Sequence, residues 1–213
     1  MARIKRVLTI ANLNTTRITR WQLTPAFYQA FGNPQNRGVW FVWGNSASGK
    51  SSFNMQLAKE FARHTKVLYN LLEEDPDDAE YIDRTKMFSM HEVARNFHTA
   101  QFTYDELIQY LDKSKRHKVI FIDSITYFNI DFDKYLALKK RFRNRTFVIV
   151  GHATGKRPRT KLEEDIMYDA RMKIYVEGYA AYCKGRTIGP NGGIYIIWNE
   201  GYQKLQGQQI KQI

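Results

Sequence analysis

The stretch Phe41–Phe53, "FVWGNSASGKSSF", decides the fold. It sets Gly44, four residues, and then Gly49-Lys50-Ser51, the GxxxxGK[ST] spacing of a loop that cradles nucleotide phosphates. The glycines let the backbone turn tightly, so the N–H groups of Asn45, Ser46, Ala47, Ser48 and Gly49 can point inward at phosphate oxygens. A helix starting near Lys50 adds its positive N-terminal end at the same point. Lys50 suits the β- and γ-phosphates, and Ser51, followed by Ser52, offers a hydroxyl to Mg²⁺. The flanks agree with the motif. "GVWFVW" (38–43) reads as a buried strand entering the loop, and 50–62 reads as a helix with Phe53, Leu57 and Phe61 on one face. Gly44 through Ser52 are therefore the expected ATP-binding segment, with Mg²⁺ as companion ion. Such loops drive kinases, GTPases, transporters, helicases and recombinases, so the rest of the chain must narrow the reading.

Working outward, apolar strands alternate with helical segments. "KVLYNLL" (66–72), "KVIFIDS" (118–124) and "TFVIVGH" (146–152) read as three more buried strands. "TYDELIQYLDKSK" opens with Thr103 and carries Glu106 three residues later, a capping-box start. "DKYLALKKRFRNR" reads as a basic amphipathic helix. Past residue 170, "MKIYVEG", "AAYCKGR" and "GGIYIIWNEG" read as strands joined by tight Gly- and Pro-containing turns. The expected fold is α/β: a mainly parallel central sheet flanked by helices, with antiparallel C-terminal strands. One domain over 1–213 is expected. Its N-terminal segment, 1–37, carries Phe27, Tyr28 and Phe31 and packs either on its own core or on a neighbouring subunit.

In such sheets ligands sit at the carboxyl ends of the strands. The phosphate loop, Glu73, Asp123 and His152 each follow one of four predicted strands. Asp123 is placed to hold Mg²⁺ through a water or Ser51, with strand-terminal turn capping as the plainer role. The residue after it is Ser124, not Glu, so a water-activating carboxylate must come from elsewhere. Glu73, at the end of the neighbouring strand, is the first candidate and Glu74 the second. Against both stands a solvated acidic loop, since "EEDPDD" is a charge run. His152 is placed to sense the γ-phosphate, although a lone histidine is more often structural.

Composition limits the partners. The net charge is +12 over 213 residues, which favours a polyanionic partner, nucleic acid foremost. Cys183 is the single cysteine, so no internal disulfide can form. The five histidines show no zinc-ligand spacing. No apolar run approaches the ~20 residues of a membrane span, and the N-terminus lacks a signal-cleavage pattern. A cytoplasmic location is expected, in a bacterial host.

Taken together these motifs resemble the RecA-like ATPase family, most closely its RadA, RecA and DnaB branch, over nearly the whole chain. "VLYNLLEED" resembles the strand that ends in the catalytic glutamate, here Glu73. "VIFIDSI" is similar to the Walker B strand, here with Asp123. "VIVGHATGKRPRTKLEEDIMYDARMKIYVEG" resembles the RadA stretch from the sensor strand onward and puts His152 at the sensor position. "CKGRTIGPNGGIYII" resembles the stretch with a Lys-x-Arg pair. The resemblance implies that Lys184 and Arg186, sharing a face of a predicted strand, reach a neighbour's ATP as an arginine finger does. It thus implies a homo-oligomer, ring or filament; a basic pair on a sheet edge is the plainer alternative. Lys-Gly-Arg-Thr stands where RadA has a more characteristic Asn and Phe. No segment reads as a zinc finger, protease-like domain or helical DNA-binding domain, so the chain looks like a core-only member of the type found in phages and mobile elements.

The same resemblance implies two DNA-facing loops. One is "ATGKRPRTK" (153–161), where Lys156, Arg157, Arg159 and Lys161 suit phosphate contacts. The other is "ITYFNIDFDKY", where Tyr127, Phe128 and Phe132 either stack on unpaired bases or pack in the core. "KKRFRNR" (139–145) reads first as a solvated helix face. The leading expectation is an ATP-hydrolysing, oligomeric single-stranded-DNA-binding protein of recombination or replication. The alternative is an ATP-dependent switch or assembly scaffold that barely hydrolyses. A small-molecule kinase would need an acceptor site and a lid, and the sequence offers neither.

Overall fold

The computed structural model describes residues 7–210, with side-chain surroundings through Leu205. Two helices come first, α1 (Ile10–Asn14) and α2 (Pro25–Phe31), before β1 (Gly38–Gly44) and α3 (Lys50–Ala62). Then follow β2 (Lys66–Leu71), α4 (Ala79–Met87), a 3₁₀ turn, β3 (Phe97–Ala100), α5 (Tyr104–Lys113) and β4 (His117–Asp123). The second half holds α6 (Ile125–Phe128), α7 (Phe132–Arg141), β5 (Thr146–Thr154), β6 (Arg157–Pro158) and α8 (Lys161–Asp169). It ends with β7 (Met172–Glu177), β8 (Ala180–Cys183), β9 (Ile194–Ile196) and α9 (Asn199–Ile210).

One sheet runs in the order β3-β2-β4-β5-β1-β7-β8-β9, with β6 folded back on β5. The first six strands of that order are parallel; β8 and β9 are antiparallel additions. The expected α/β architecture is therefore the observed one. β5 lies between the phosphate-loop strand β1 and the Asp123 strand β4, and this places His152 between the two.

The near-continuous apolar runs of these strands follow from burial on both faces. Trp40, Val42, Val119 and Phe121 enter one core, against Phe27 and Phe31 of α2 and Phe53, Leu57 and Phe61 of α3. Val39, Phe41, Ile120 and Ile122 enter the other, against Leu107 and Leu111 of α5, Tyr135 and Leu138 of α7, and Ile166 of α8. The two-residue period of a strand makes this division. Phe61 has no exposed surface and meets both Trp21 and Trp40 edge-on or tilted, so Phe61→Ala is expected to cost about 3–5 kcal/mol.

α5 starts as its capping box predicts: Thr103 Oγ1 accepts from the Glu106 N–H, and the Thr103 N–H donates to Glu106 Oε2. Of the two placements open for the N-terminal segment, Phe27 and Phe31 take the core one, the Phe27 ring stacking on Tyr195 at 4.4 Å.

Other expectations need correction. The basic helix stops at Arg141, because Phe142 turns into the core and Arg145 leads straight into β5. The predicted strand over 180–186 ends at Cys183, leaving Lys184 and Arg186 outside it. Their N–H groups still donate to Lys173 O and Arg171 O, but the chain then leaves toward α2, where Gly189 and Asn191 bond to Ala30 O and Gln29 O. The last strand shrinks to 194–196 because α9 begins at Asn199.

Candidate nucleotide site

The carboxyl ends of β1, β2, β4 and β5 open on a cleft of about 490 Å³. Ser46, Ala47, Gly49, Lys50, Ser51 and Ser52 line it from the loop, and Glu73, Asp123 and His152 from the three other strand ends. All four strand-end groups read from the sequence therefore meet in one place.

The loop's glycines have distinct reasons. Gly49 sits at φ +98°, a conformation that disfavours a side chain, as it turns into α3. A Cβ on Gly44 would lie 2.3 Å from Val176 O, so the close packing of β1 on β7 demands glycine there. Asn45 fixes the loop from both sides, its Nδ2 donating to Gly155 O at 3.0 Å and its carbonyl accepting from Lys50 Nζ at 2.9 Å. The turn after β7 braces it further, the Tyr179 N–H donating to Ser48 O.

Burial lowers the Lys50 pKa, a pull opposed by the nearby carboxylates Glu73, Asp123 and Glu163. Asp123 moves the other way. Burial, with Glu73 and Glu74 adding repulsion, raises it to about 6, against the lowering effect of a Tyr69 hydroxyl that donates to Oδ2 at 2.5 Å. His152 Nε2 lies 2.8 Å from Glu73 Oε1 and 3.4 Å from Ser124 Oγ. Glu74, the second candidate base, points elsewhere: it is ion-paired with Arg84. Glu73 thus holds the better position.

Five contributors escaped the sequence reading. Arg84 reaches the cleft from α4, Asn54 from α3 and Tyr179 from the β7–β8 turn. Tyr69 holds Asp123 from the middle of β2. Buried Glu163 accepts from the His152 N–H at 2.9 Å and the Thr160 N–H at 2.7 Å. A signal existed for Glu163 alone: "TKLE" (160–163) is a capping box, and it forms. Tyr69 depends on which strands become neighbours, whereas Asn54 lies one turn beyond Lys50 on α3 and Arg84 pairs with Glu74 ten residues away.

The nucleic-acid candidates lie apart from this cleft. The expected 153–161 loop is largely a tight hairpin, Ala153↔Pro158 and Thr154↔Arg157, tied down by Trp43 Nε1 donating to Lys156 O. Lys156, Arg157 and Arg159 are exposed on it, and Lys161 instead opens α8 and pairs with Glu164 and Asp165. Phe128 is buried and Phe132 stacks on Tyr135, so Tyr127, 61% exposed, alone remains open of the three stacking candidates. Lys184 lines a second cleft with Lys156, Tyr175 and Tyr182, and Arg186 neighbours Arg171 at the far edge of the sheet. Neither reaches the nucleotide cleft of its own chain.

The residues present fit a nucleoside triphosphate and Mg²⁺. Both polar atoms of the Asn54 side chain are buried without partners in the cleft wall. Lys50, the Ser51 hydroxyl and the Asp123 carboxylate converge, with Arg84 and Glu73 beside them, the donor types a metal-bound triphosphate requires.

Similarity to solved structures bears on the fold. A KaiC-like protein of Pyrococcus horikoshii superposes with a TM-score of 0.62 at 20% identity, covering 84% of this chain and 99% of that one. The fold is RecA-like. The flagellar accessory protein FlaH of Methanocaldococcus jannaschii gives 0.62 at 16% identity, over 84% and 92% of the two chains. An ATP synthase subunit of Nanoarchaeum equitans gives 0.53 at 10%, over 77% and 53%. No family model matches the chain, and no curated protein sequence is significantly similar to it. Among the described residues no helix is long and apolar enough to cross a membrane.

Proposed function

We propose that this protein binds ATP with Mg²⁺ and hydrolyses it as an oligomeric RecA-like core that works on DNA, in recombination or replication. The observation that carries the reading is the meeting of Lys50, Ser51, Asp123, Glu73 and His152 in one cleft at the strand ends. The loop N–H groups and Lys50 would hold the phosphates, and Ser51 and Asp123 the metal. When bound, Mg²⁺ supplies charge neutralisation at the outer phosphates. Glu73 then orients a water and takes its proton at a carboxylate oxygen. His152, whose Nε2 lies 2.8 Å from the same carboxylate, sets that oxygen's direction. The +12 charge and the exposed Lys156, Arg157 and Arg159 support DNA as the partner. Lys184 and Arg186, away from their own cleft, suit a finger offered to a neighbouring subunit, within the RadA, RecA and DnaB type of assembly. A chain of phage or mobile-element type, acting in a bacterial cytoplasm, fits this reading.

One contact favours a second reading. The 2.8 Å pairing of His152 with Glu73 occupies the base itself, as a slow-hydrolysing switch or assembly scaffold would require. Phosphate release, measured with and without single-stranded DNA, separates the two. Release that rises with DNA supports the first, and tight ATP binding with negligible release under both conditions supports the second.

A further inference from the structure

The parallel strands have a second edge, opposite the nucleotide cleft, and it is lined with cations. Lys118 stands at the start of β4, Arg145 just before β5, Arg37 just before β1 and Arg171 just before β7. These four strands are consecutive neighbours, and their pairings bring the four residues to one edge. The Arg186 N–H donates to Arg171 O, adding a fifth cation. At about 4.8 Å between strands the row spans roughly 19 Å.

Arg37, Arg145 and Arg171 line a groove of about 720 Å³ there, joined by Lys140 and Arg143 from the end of α7. The cations are not neutralised by the protein. The nearby carboxylates are already spent, Asp169 on Lys139 and Asp112 on Arg141. Among the described residues, none of Arg37, Lys118, Lys140, Arg143, Arg145, Arg171 and Arg186 has an ion-pair partner within 4.0 Å. Arg145 is fixed by two bonds from Nη2 to Leu111 O and Ser114 O, each 2.8 Å, and its Nη1 is buried without a partner. Burial and the positive charges of Arg186 and Arg37 together lower the Arg171 pKa, the mark of like charges held close.

We infer that this groove is a binding site for the phosphodiester backbone of nucleic acid, separate from the 153–161 hairpin. Guanidinium groups dominate it, and these pair with phosphate bidentately. A row of roughly 19 Å matches several successive phosphates, which rise about 3.4 Å per nucleotide along the axis of a duplex. The groove offers no exposed aromatic ring: its one ring is Phe147, which is 2% exposed. Contacts there are to backbone and carry no base identity, so duplex and single strand both bind and sequence matters little. The site requires neither ATP hydrolysis nor the hairpin contacts.

The test measures binding of a labelled 20-base-pair duplex and a labelled 30-nucleotide oligo(dT) across a salt series. Lys140→Glu/Arg143→Glu alters two exposed groove residues, and Arg157→Glu/Arg159→Glu serves as the hairpin comparison. Thermal unfolding checks that each variant folds, and Lys140→Arg/Arg143→Lys checks that charge is what matters. The groove variant is expected to bind both probes at least ~10-fold more weakly, with a log–log salt slope shallower by about 1.4–1.8 for two lost contacts. The charge-preserving variant should bind as the parent does. Undiminished binding by a folded groove variant overturns the inference, even if the hairpin variant binds poorly. So does a polyglutamate peptide of matched charge that displaces DNA at equal concentration, since the groove would then serve acidic polypeptides.

Discussion

His152 Nε2 and Glu73 Oε1 lie 2.8 Å apart, joining the ends of β5 and β2 across the strand that carries Asp123. Three adjacent strands thereby bring Asp123, Glu73 and His152 together, and under the proposed function these would hold the metal, act as base and orient that base. Glu73→Gln should keep the shape and ATP affinity but remove the proton acceptor, lowering phosphate release by about 10²–10⁴-fold. Turnover at the parental rate by this variant would end the assignment of Glu73. His152→Gln, which can still donate a hydrogen bond, should lose less than His152→Ala.

Asp123 gives a pH dependence whose sign is fixed. Its pKa rises from 3.8 to about 6 on folding, so between those values the folded state holds a proton that the unfolded state has lost. Stability from this group is greatest below the unfolded value and falls as pH rises through 6, by on the order of 3 kcal/mol in total. Metal binding needs the ionised carboxylate and runs the other way. Mg²⁺-dependent binding of a fluorescent ATP analogue should weaken tenfold per pH unit below about 6. Tyr69→Phe removes the hydroxyl that lowers this pKa, and should move the same titration upward. A midpoint unchanged in Tyr69→Phe would show that the 2.5 Å contact does not tune Asp123.

The loop glycines differ in what their loss should do. Gly44→Ala puts a Cβ into Val176 O and should destabilise the fold by about 1–3 kcal/mol, read as a lower thermal midpoint. Lys50→Ala touches no core residue. It should leave the midpoint of the ATP-free protein nearly unchanged and weaken ATP binding by ~100-fold or more, as loss of a charge-assisted phosphate contact predicts.

Glu163 links the site to the basic hairpin. Its carboxylate accepts from the His152 N–H and from both the N–H and the Oγ1 of Thr160, while Arg159 N–H donates to His152 O in the same turn. Glu163→Ala should leave the half-buried His152 N–H without its partner, Thr160 being exposed to water, and cost about 1–3 kcal/mol in chemical denaturation. Glu163→Gln, keeping one acceptor oxygen, should cost less. Equal losses would mean that the side chain acts only by filling space.

Much of this was legible in the chain itself, for local reasons. "GNSASGKSS" specifies its own loop because glycine conformations and the helix start are encoded within a few residues. The strands showed as apolar runs because both sheet faces are covered, and Thr103/Glu106 showed as a cap because its bonds span three residues. Glu73, Asp123 and His152 were readable as strand ends. Their meeting was not: it follows from the order β2-β4-β5-β1, which is set by packing between segments far apart in sequence. The same distance hid Tyr69 behind Asp123. It also hid the basic edge, where Arg37, Lys118, Arg145 and Arg171 are scattered over more than a hundred residues and share a place only because parallel strands begin side by side. Lys184 and Arg186 were misread as strand residues because a two-residue alternation does not say where pairing stops. The sequence determined the loop and the carboxylates; tertiary packing decided which of them face one another, and what stands at the opposite edge.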